Sequence, residues 1–202
     1  MKKNAIGIVL IIVGLAIIGA AVFMRYSADK KQNEIKAKFE KTLKELGENE
    51  KAPSSENNDS KASNSPGDRP NKQDIDAIAL MIIPKIDLNV AVSEGTDMET
   101  LKYAVGHFEG TALPGEKGNF SVAGHRNYTY SQYFNRADEL VNGDEILIKT
   151  KKGEFKYSVS GKKIVNPEEI SVLDPTEDAT LTIVTCTPGA TQRLIINAKL
   201  IK

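Results

Sequence analysis

Two neighbouring stretches near the C-terminus, Thr180-Leu-Thr-Ile-Val-Thr-Cys186 and Arg193-Leu-Ile-Ile-Asn-Ala-Lys-Leu-Ile201, decide how the chain folds. Both carry the period-two alternation of strands with one buried face. Leu181 and Ile183 fall on one face of the first, and Thr182, Val184 and Cys186 on the other. In the second, Leu194, Ile196, Ala198 and Leu200 face inward and Arg193 faces the opposite way. The turn signal Pro188-Gly189 lies between them. Paired as an antiparallel hairpin, Cys186 ends one strand and Arg193 begins the next, and directly opposed residues on one face have Cβ atoms about 5 Å apart. The spacing therefore predicts a thiol beside a permanent cation, where a thiolate or an oxyanion is stabilised. A buried structural cysteine and a solvated arginine satisfy the same pattern.

Outward from this hairpin, residues 78–83, 86–92, 119–123, 145–149 and 154–165 also read as short extended segments. Pro84, Pro114-Gly115, Gly118, Asn142-Gly143-Asp144 and Lys152-Gly153 punctuate them. Weaker helical patterns cover residues 98–103 and 131–140. Seven or eight strands in about 130 residues predict a mainly β domain, a closed or nearly closed barrel, because an open sheet would expose its edges. That domain is expected to span residues 74–202, enough chain for a single core.

The N-terminal half reads differently. Residues 5–24, Ala5 to Met24, are an uncharged run of apolar residues and Gly, about 30 Å long as a helix, which is the hydrocarbon thickness of a bilayer. Met24-Arg25-Tyr26 closes it with bulky residues instead of a small-residue cleavage site, so a retained anchor is predicted, with residues 1–4 on the cytoplasmic side. Over residues 25–49, Ile35, Phe39, Leu43 and Leu46 recur at helical spacing on a charged background, which predicts an amphipathic juxtamembrane helix lying near the membrane surface. Residues 50–73 contain no Val, Ile, Leu, Met or aromatic side chain, and are expected to form a flexible linker.

The charge balance of 27 basic against 27 acidic residues, without a local basic patch, argues against a nucleic-acid partner. One cysteine excludes an intramolecular disulfide, and with two histidines it cannot complete an all-Cys/His zinc site, so the thiol is free.

A second group of interest is Asn119-Phe-Ser-Val-Ala-Gly-His125-Arg126, an apolar strand ending in Gly-His. A histidine at a strand end, after a Gly that permits close approach, can face a groove. Cys and His together suffice for acyl transfer: the thiolate attacks a carbonyl and the imidazole protonates the departing amine. A satisfied structural histidine is the alternative for His125, and His107, in Val105-Gly-His-Phe108, is read as structural.

These segments resemble the sortases, the membrane-anchored cysteine transpeptidases of Gram-positive bacteria. The resemblance runs from Ile78 to the C-terminus. It is carried by Ile83-Pro-Lys-Ile86, Gly110-Thr-Ala-Leu-Pro-Gly-Glu116, the Ala-Gly-His within Asn119 to Arg126, Leu181-Thr-Ile-Val-Thr-Cys186 at the family's Thr-Leu-x-Thr-Cys box, and the following Arg193. Ala-Gly-His-Arg-Asn-Tyr-Thr-Tyr and the compact Thr-Cys-Thr-Pro-Gly turn look most like class D of spore-forming bacteria. The resemblance implies an eight-stranded sortase-type barrel and a catalytic set of His125, Cys186 and Arg193. It implies a substrate-binding surface including Ala123, Pro167, Ile170, Val172, Leu173, Val184 and Thr185. It further implies LPxT-motif surface proteins as substrates, an amine of a peptidoglycan precursor as acceptor, and no cofactor.

The resemblance also implies a single-pass membrane location with the barrel extracellular. The count of Arg25, Lys30, Lys31, Lys36 and Lys38 after the span against Lys2 and Lys3 before it points the other way, and the resemblance is taken to override it. Some housekeeping sortases bind calcium through loop carboxylates. The matching positions here fall on Gly110, Leu113 and Pro175, with Glu109, Glu116 and Glu177 displaced from them, so no metal is expected.

Overall fold

The structure, a computed structural model, describes the backbone of residues 2–49 and 75–201 and the side chains of residues 10–47 and 75–201. The expected linker at 50–73 lies outside the described residues. Eight strands close into a barrel, β1 (Ala77–Ile83), β2 (Leu88–Glu94), β3 (Val105–His107), β4 (Gly118–Ala123), β5 (Glu145–Thr150), β6 (Gly153–Val165), β7 (Ala179–Cys186) and β8 (Arg193–Leu200). Their order around the barrel is β1-β2-β3-β4-β7-β8-β6-β5. Closure leaves no long unpaired edge, as the count of short strands predicted.

Alternation fills the interior. Phe120 and Val122 from β4, Leu181 and Ile183 from β7, Leu194, Ile196 and Ala198 from β8, and Ile146 and Ile148 from β5 meet in one buried cluster with Met81, Phe134 and Tyr157. Each buried large apolar side chain contributes about 1.5–3 kcal/mol relative to exposure. β7 and β8 pair antiparallel in the predicted register, with Cys186 opposite Arg193. β4 and β7 pair in parallel, Phe120 opposite Leu181 and Ala123 opposite Val184.

Three expectations are corrected. β3 was not anticipated, because three residues are too few to show a period. Residues 131–140 do not form an α-helix and contain only a 3-10 turn at Ala137–Glu139. Phe134, Ala137 and Leu140 are buried at a spacing of three, which suits 3-10 geometry, and the Phe134 amide is used by the His125 carbonyl instead of a helical partner. The predicted helix at 98–103 does form, as α2 (Met98–Tyr103), capped by the Asp97 carboxylate accepting from the amides of Glu99 and Thr100.

The third correction concerns the amphipathic segment. α1 (Lys2–Asn49) is one uninterrupted helix. Its first part is long and apolar enough to cross a bilayer, and the apolar side chains from Leu10 to Phe23 are exposed. Its second part is docked on the barrel instead of lying apart as a spacer. Ile35 and Phe39 are buried against Leu80 of β1 and Ala91 of β2, with Leu43, Ile75, Ala77 and Tyr103 around them. Leu46, the last residue of the apolar stripe, stays exposed.

Candidate active site

β4, β7 and β8 are consecutive around the barrel, and they end or begin at the same rim with His125, Cys186 and Arg193. The parallel register of β4 and β7 continues one residue past the strand end: the Gly124 amide donates to the Val184 carbonyl at 3.2 Å, and the Thr185 hydroxyl donates to the Gly124 carbonyl at 2.8 Å. One residue further on, His125 follows Gly124 on one strand as Cys186 follows Thr185 on the other. The antiparallel register then sets Arg193 beside Cys186.

Gly124 is dictated by packing. A Cβ there would lie 2.6 Å from Cε2 of Phe134, a side chain at 0% exposure in the core. His125 is held by two contacts, and one ring nitrogen is left without a partner. Its carbonyl accepts from the Phe134 amide at 3.1 Å, its ring rests on Tyr128 with centroids 4.6 Å apart, and its Nε2 is buried without a hydrogen-bond partner. Burial pushes the imidazole below its ordinary 6.5, so the neutral ring is favoured at pH 7. An unpartnered buried nitrogen costs about 1–3 kcal/mol and leaves a proton acceptor or donor available for chemistry.

Cys186 is a half-buried free thiol. The turn between it and Arg193 is tight: the Thr187 amide donates to the Gln192 carbonyl at 3.0 Å, and Gly189 and Ala190 both have left-handed φ, 80° and 58°. Arg193 Nη1 donates to the carbonyls of Ala190 and Gln192, which orients the guanidinium over that turn. Arg126, which follows His125 in the sequence, donates to Asp138 at 2.8 Å, and this bond holds the Asp138 carboxyl below its ordinary value.

Beside Arg193 lies a cavity of about 230 Å³. Pro167, Ile170, Val172, Leu173 and Val184, all singled out from the sequence, line it. Ile170 to Leu173 form a 3-10 turn as its outer wall, and Asn119 of β4 holds that wall by donating to the carbonyls of Val172 and Asp174. Ala123 sits next to Val184 in the β4–β7 register but is not among the cavity walls. Thr185 is 2% exposed and turned inward to Gly124, so it fastens the two strands and does not line the groove.

Phe108 and Ile195 line the cavity and were missed. Ile195 was legible, since period two puts it on the face of Arg193, whereas Phe108 follows the unanticipated β3. His107 is structural, as read: it is 2% exposed, its Nδ1 faces the Glu94 carboxylate at 2.9 Å, and its Nε2 meets Thr111 and Ala112. Among the described residues no three His, Cys, Asp or Glu side chains gather at one point.

The chain is similar to known proteins. The Sortase domain profile matches residues 81–201. The chain is 31% identical to Sortase D of Bacillus subtilis over 98% of both sequences. It is 34% identical to Sortase SrtE1 of Streptomyces coelicolor over 61% of this chain and 40% of that protein. Among solved structures, a Clostridium perfringens Sortase D5 transpeptidase superposes with a TM-score of 0.63 at 35% identity, covering 86% of this chain and 98% of that one.

Proposed function

The chain belongs to the sortase family of cysteine transpeptidases, and from that premise we propose that it cleaves an LPxT-type sorting signal after Thr and joins the new carboxyl end to an amine of a peptidoglycan precursor. The observation that carries the reading is the convergence of His125, Cys186 and Arg193 at three adjacent strand ends beside an apolar groove.

The Cys186 sulfur gives its proton to His125 and attacks the Thr carbonyl carbon. Arg193 donates to the oxyanion or to the peptide backbone. As the intermediate collapses the C–N bond breaks, and His125 passes the proton to the leaving amine. A thioester remains on Cys186. The acceptor amine then loses a proton to His125 and attacks the thioester, and the C–S bond breaks with the departing sulfur taking that proton from His125, which restores the thiol and the neutral imidazole. Pro167, Ile170, Val172, Leu173 and Val184 receive the Leu-Pro part of the signal. None of these steps calls for a cofactor.

The apolar first part of α1 supports a single-pass membrane location, with residues 74–202 as the catalytic unit outside the cell. The full-length likeness to a Sortase D agrees with a class D assignment. The test is mass spectrometry of the protein with an LPxT-containing peptide, with and without an added amine. A thioester on Cys186 and diversion of product from acid to amide are expected. Acid product alone, whatever the amine concentration, identifies a peptidase, and retained peptide without cleavage identifies a binding barrel.

A further inference from the structure

We propose that the turn of α1 after Met24 positions His125, so that the catalytic set is fully assembled only while the anchor helix lies against the barrel. The inference rests on the catalytic role proposed for His125. The loop after β4 that carries His125 does not rest on the barrel alone. A chain of contacts leads from the helix to the imidazole: the Tyr130 hydroxyl donates to Met24 Sδ at 3.4 Å, Tyr130 packs on Tyr128 at 5.3 Å, and Tyr128 packs on the His125 ring at 4.6 Å. Arg25 Nη2 donates to Gln132 Oε1 of the same loop at 3.2 Å. From α2, the Leu101 carbonyl accepts from Ser131 Oγ, and the Lys102 ammonium lies over the Tyr130 ring.

Topology makes this meeting a consequence of the docking. β1 is antiparallel to β2, β2 is parallel to β3, and β3 is antiparallel to β4, so β1 and β4 run the same way and end at the same rim. α1 crosses β1 with Lys38, farther along the helix, donating to Asp76 at the opposite end, just before β1 begins, at 2.6 Å. Met24 and Arg25 are therefore carried to the rim where His125 lies. Ala28, at 2% exposure, is the small residue that allows the close approach. With Nε2 making no hydrogen bond, the ring's orientation depends on this stack. A loop released from it spends only a fraction of its time in the competent geometry, and turnover falls by that fraction.

The test uses the full chain in phospholipid nanodiscs with an LPxT peptide and an amine, comparing Tyr130→Ala, Tyr130→Phe, Ala28→Arg and the double variant Ala28→Arg/Tyr130→Ala. Tyr130→Ala and Ala28→Arg are each expected to lower kcat about 5- to 20-fold, with KM within about twofold. Tyr130→Phe keeps the ring stack on Tyr128 but loses the hydroxyl bond to Met24, so its kcat is expected to fall between those of wild type and Tyr130→Ala. In the double variant the losses should not multiply, because both act through one contact chain. The NMR titration midpoint of His125 should rise in both single variants, since the loop that buries it is loosened. Unchanged kcat in Tyr130→Ala, multiplied losses in the double variant, or losses that only follow the melting temperature overturn the proposal. If the wild-type protein forms no thioester, the functional reading fails first. A thioester formed together with unchanged kcat in the variants overturns the positioning role alone.

Discussion

Thr185 donates its hydroxyl to the carbonyl of Gly124 at 2.8 Å, which ties the residue before Cys186 to the residue before His125. The bond is buried and bridges two strands 61 positions apart in sequence. Thr185→Val keeps the shape and leaves that carbonyl unpaired, at a cost of about 1–3 kcal/mol. The expected result is a lower melting temperature and at least a tenfold loss of kcat, with Thr185→Ser recovering most of both. Wild-type kcat in Thr185→Val shows that the Cys and His strands are aligned without it.

Cys186→Ala and His125→Ala are expected to abolish transpeptidation in folded protein. Arg193→Ala is expected to reduce it about 10²–10³-fold, the usual effect of removing an oxyanion donor. Circular dichroism together with peptide turnover checks the set. Near wild-type turnover in any one variant removes that residue from the mechanism.

Ile170 is 75% exposed on the outer wall of the groove, so its truncation removes little core packing. Ile170→Ala should raise KM for the peptide several-fold and leave the melting temperature within about 1 °C, since exposed substitutions usually stay within ±0.5 kcal/mol. Loss of stability and activity in equal measure assigns the residue to the fold instead.

The burial of His125 has a sign for stability. Its imidazole titrates below 6.5 in the folded chain because burial disfavours the charged ring, whereas the unfolded chain titrates near 6.5. On acidification the unfolded state takes up the proton first, so the contribution is complete above about pH 6.5 and is lost as pH falls through the folded value. Urea unfolding at pH 7.5 and 5.5 should show a smaller decline in His125→Gln than in wild type. Equal declines in both proteins mean that other groups carry the dependence.

Activity is expected to be independent of calcium. Among the described residues no three His, Cys, Asp or Glu side chains gather at one point, and Glu116 is paired with Lys152 at 3.1 Å. Rates measured in excess chelator and in millimolar calcium should agree. A several-fold stimulation identifies carboxylates that this placement does not bring together.

Seven of the eight strands, the β7–β8 hairpin and the opposition of Cys186 and Arg193 were legible because they rest on short-range signals, period two and a Pro-Gly turn. The stretch 131–140 was misread because tertiary demands on Phe134, buried in the core with its amide given to His125, outweigh local helical spacing. Phe108 could not be assigned to the groove without β3.

By itself the sequence determined which chemical groups exist, a lone thiol, two imidazoles and a cation one turn from the thiol, and which segments alternate. Only the tertiary structure decided that β4 pairs in parallel with β7 and so brings His125 beside Cys186, because a parallel pairing is joined by a long crossover that local periodicity does not encode. It also decided what the apolar stripe of α1 covers. Ile35 and Phe39 require an apolar partner, but nothing in their spacing distinguishes a membrane surface from Leu80 and Ala91 of the barrel; complementary shape across distant parts of the chain makes that choice.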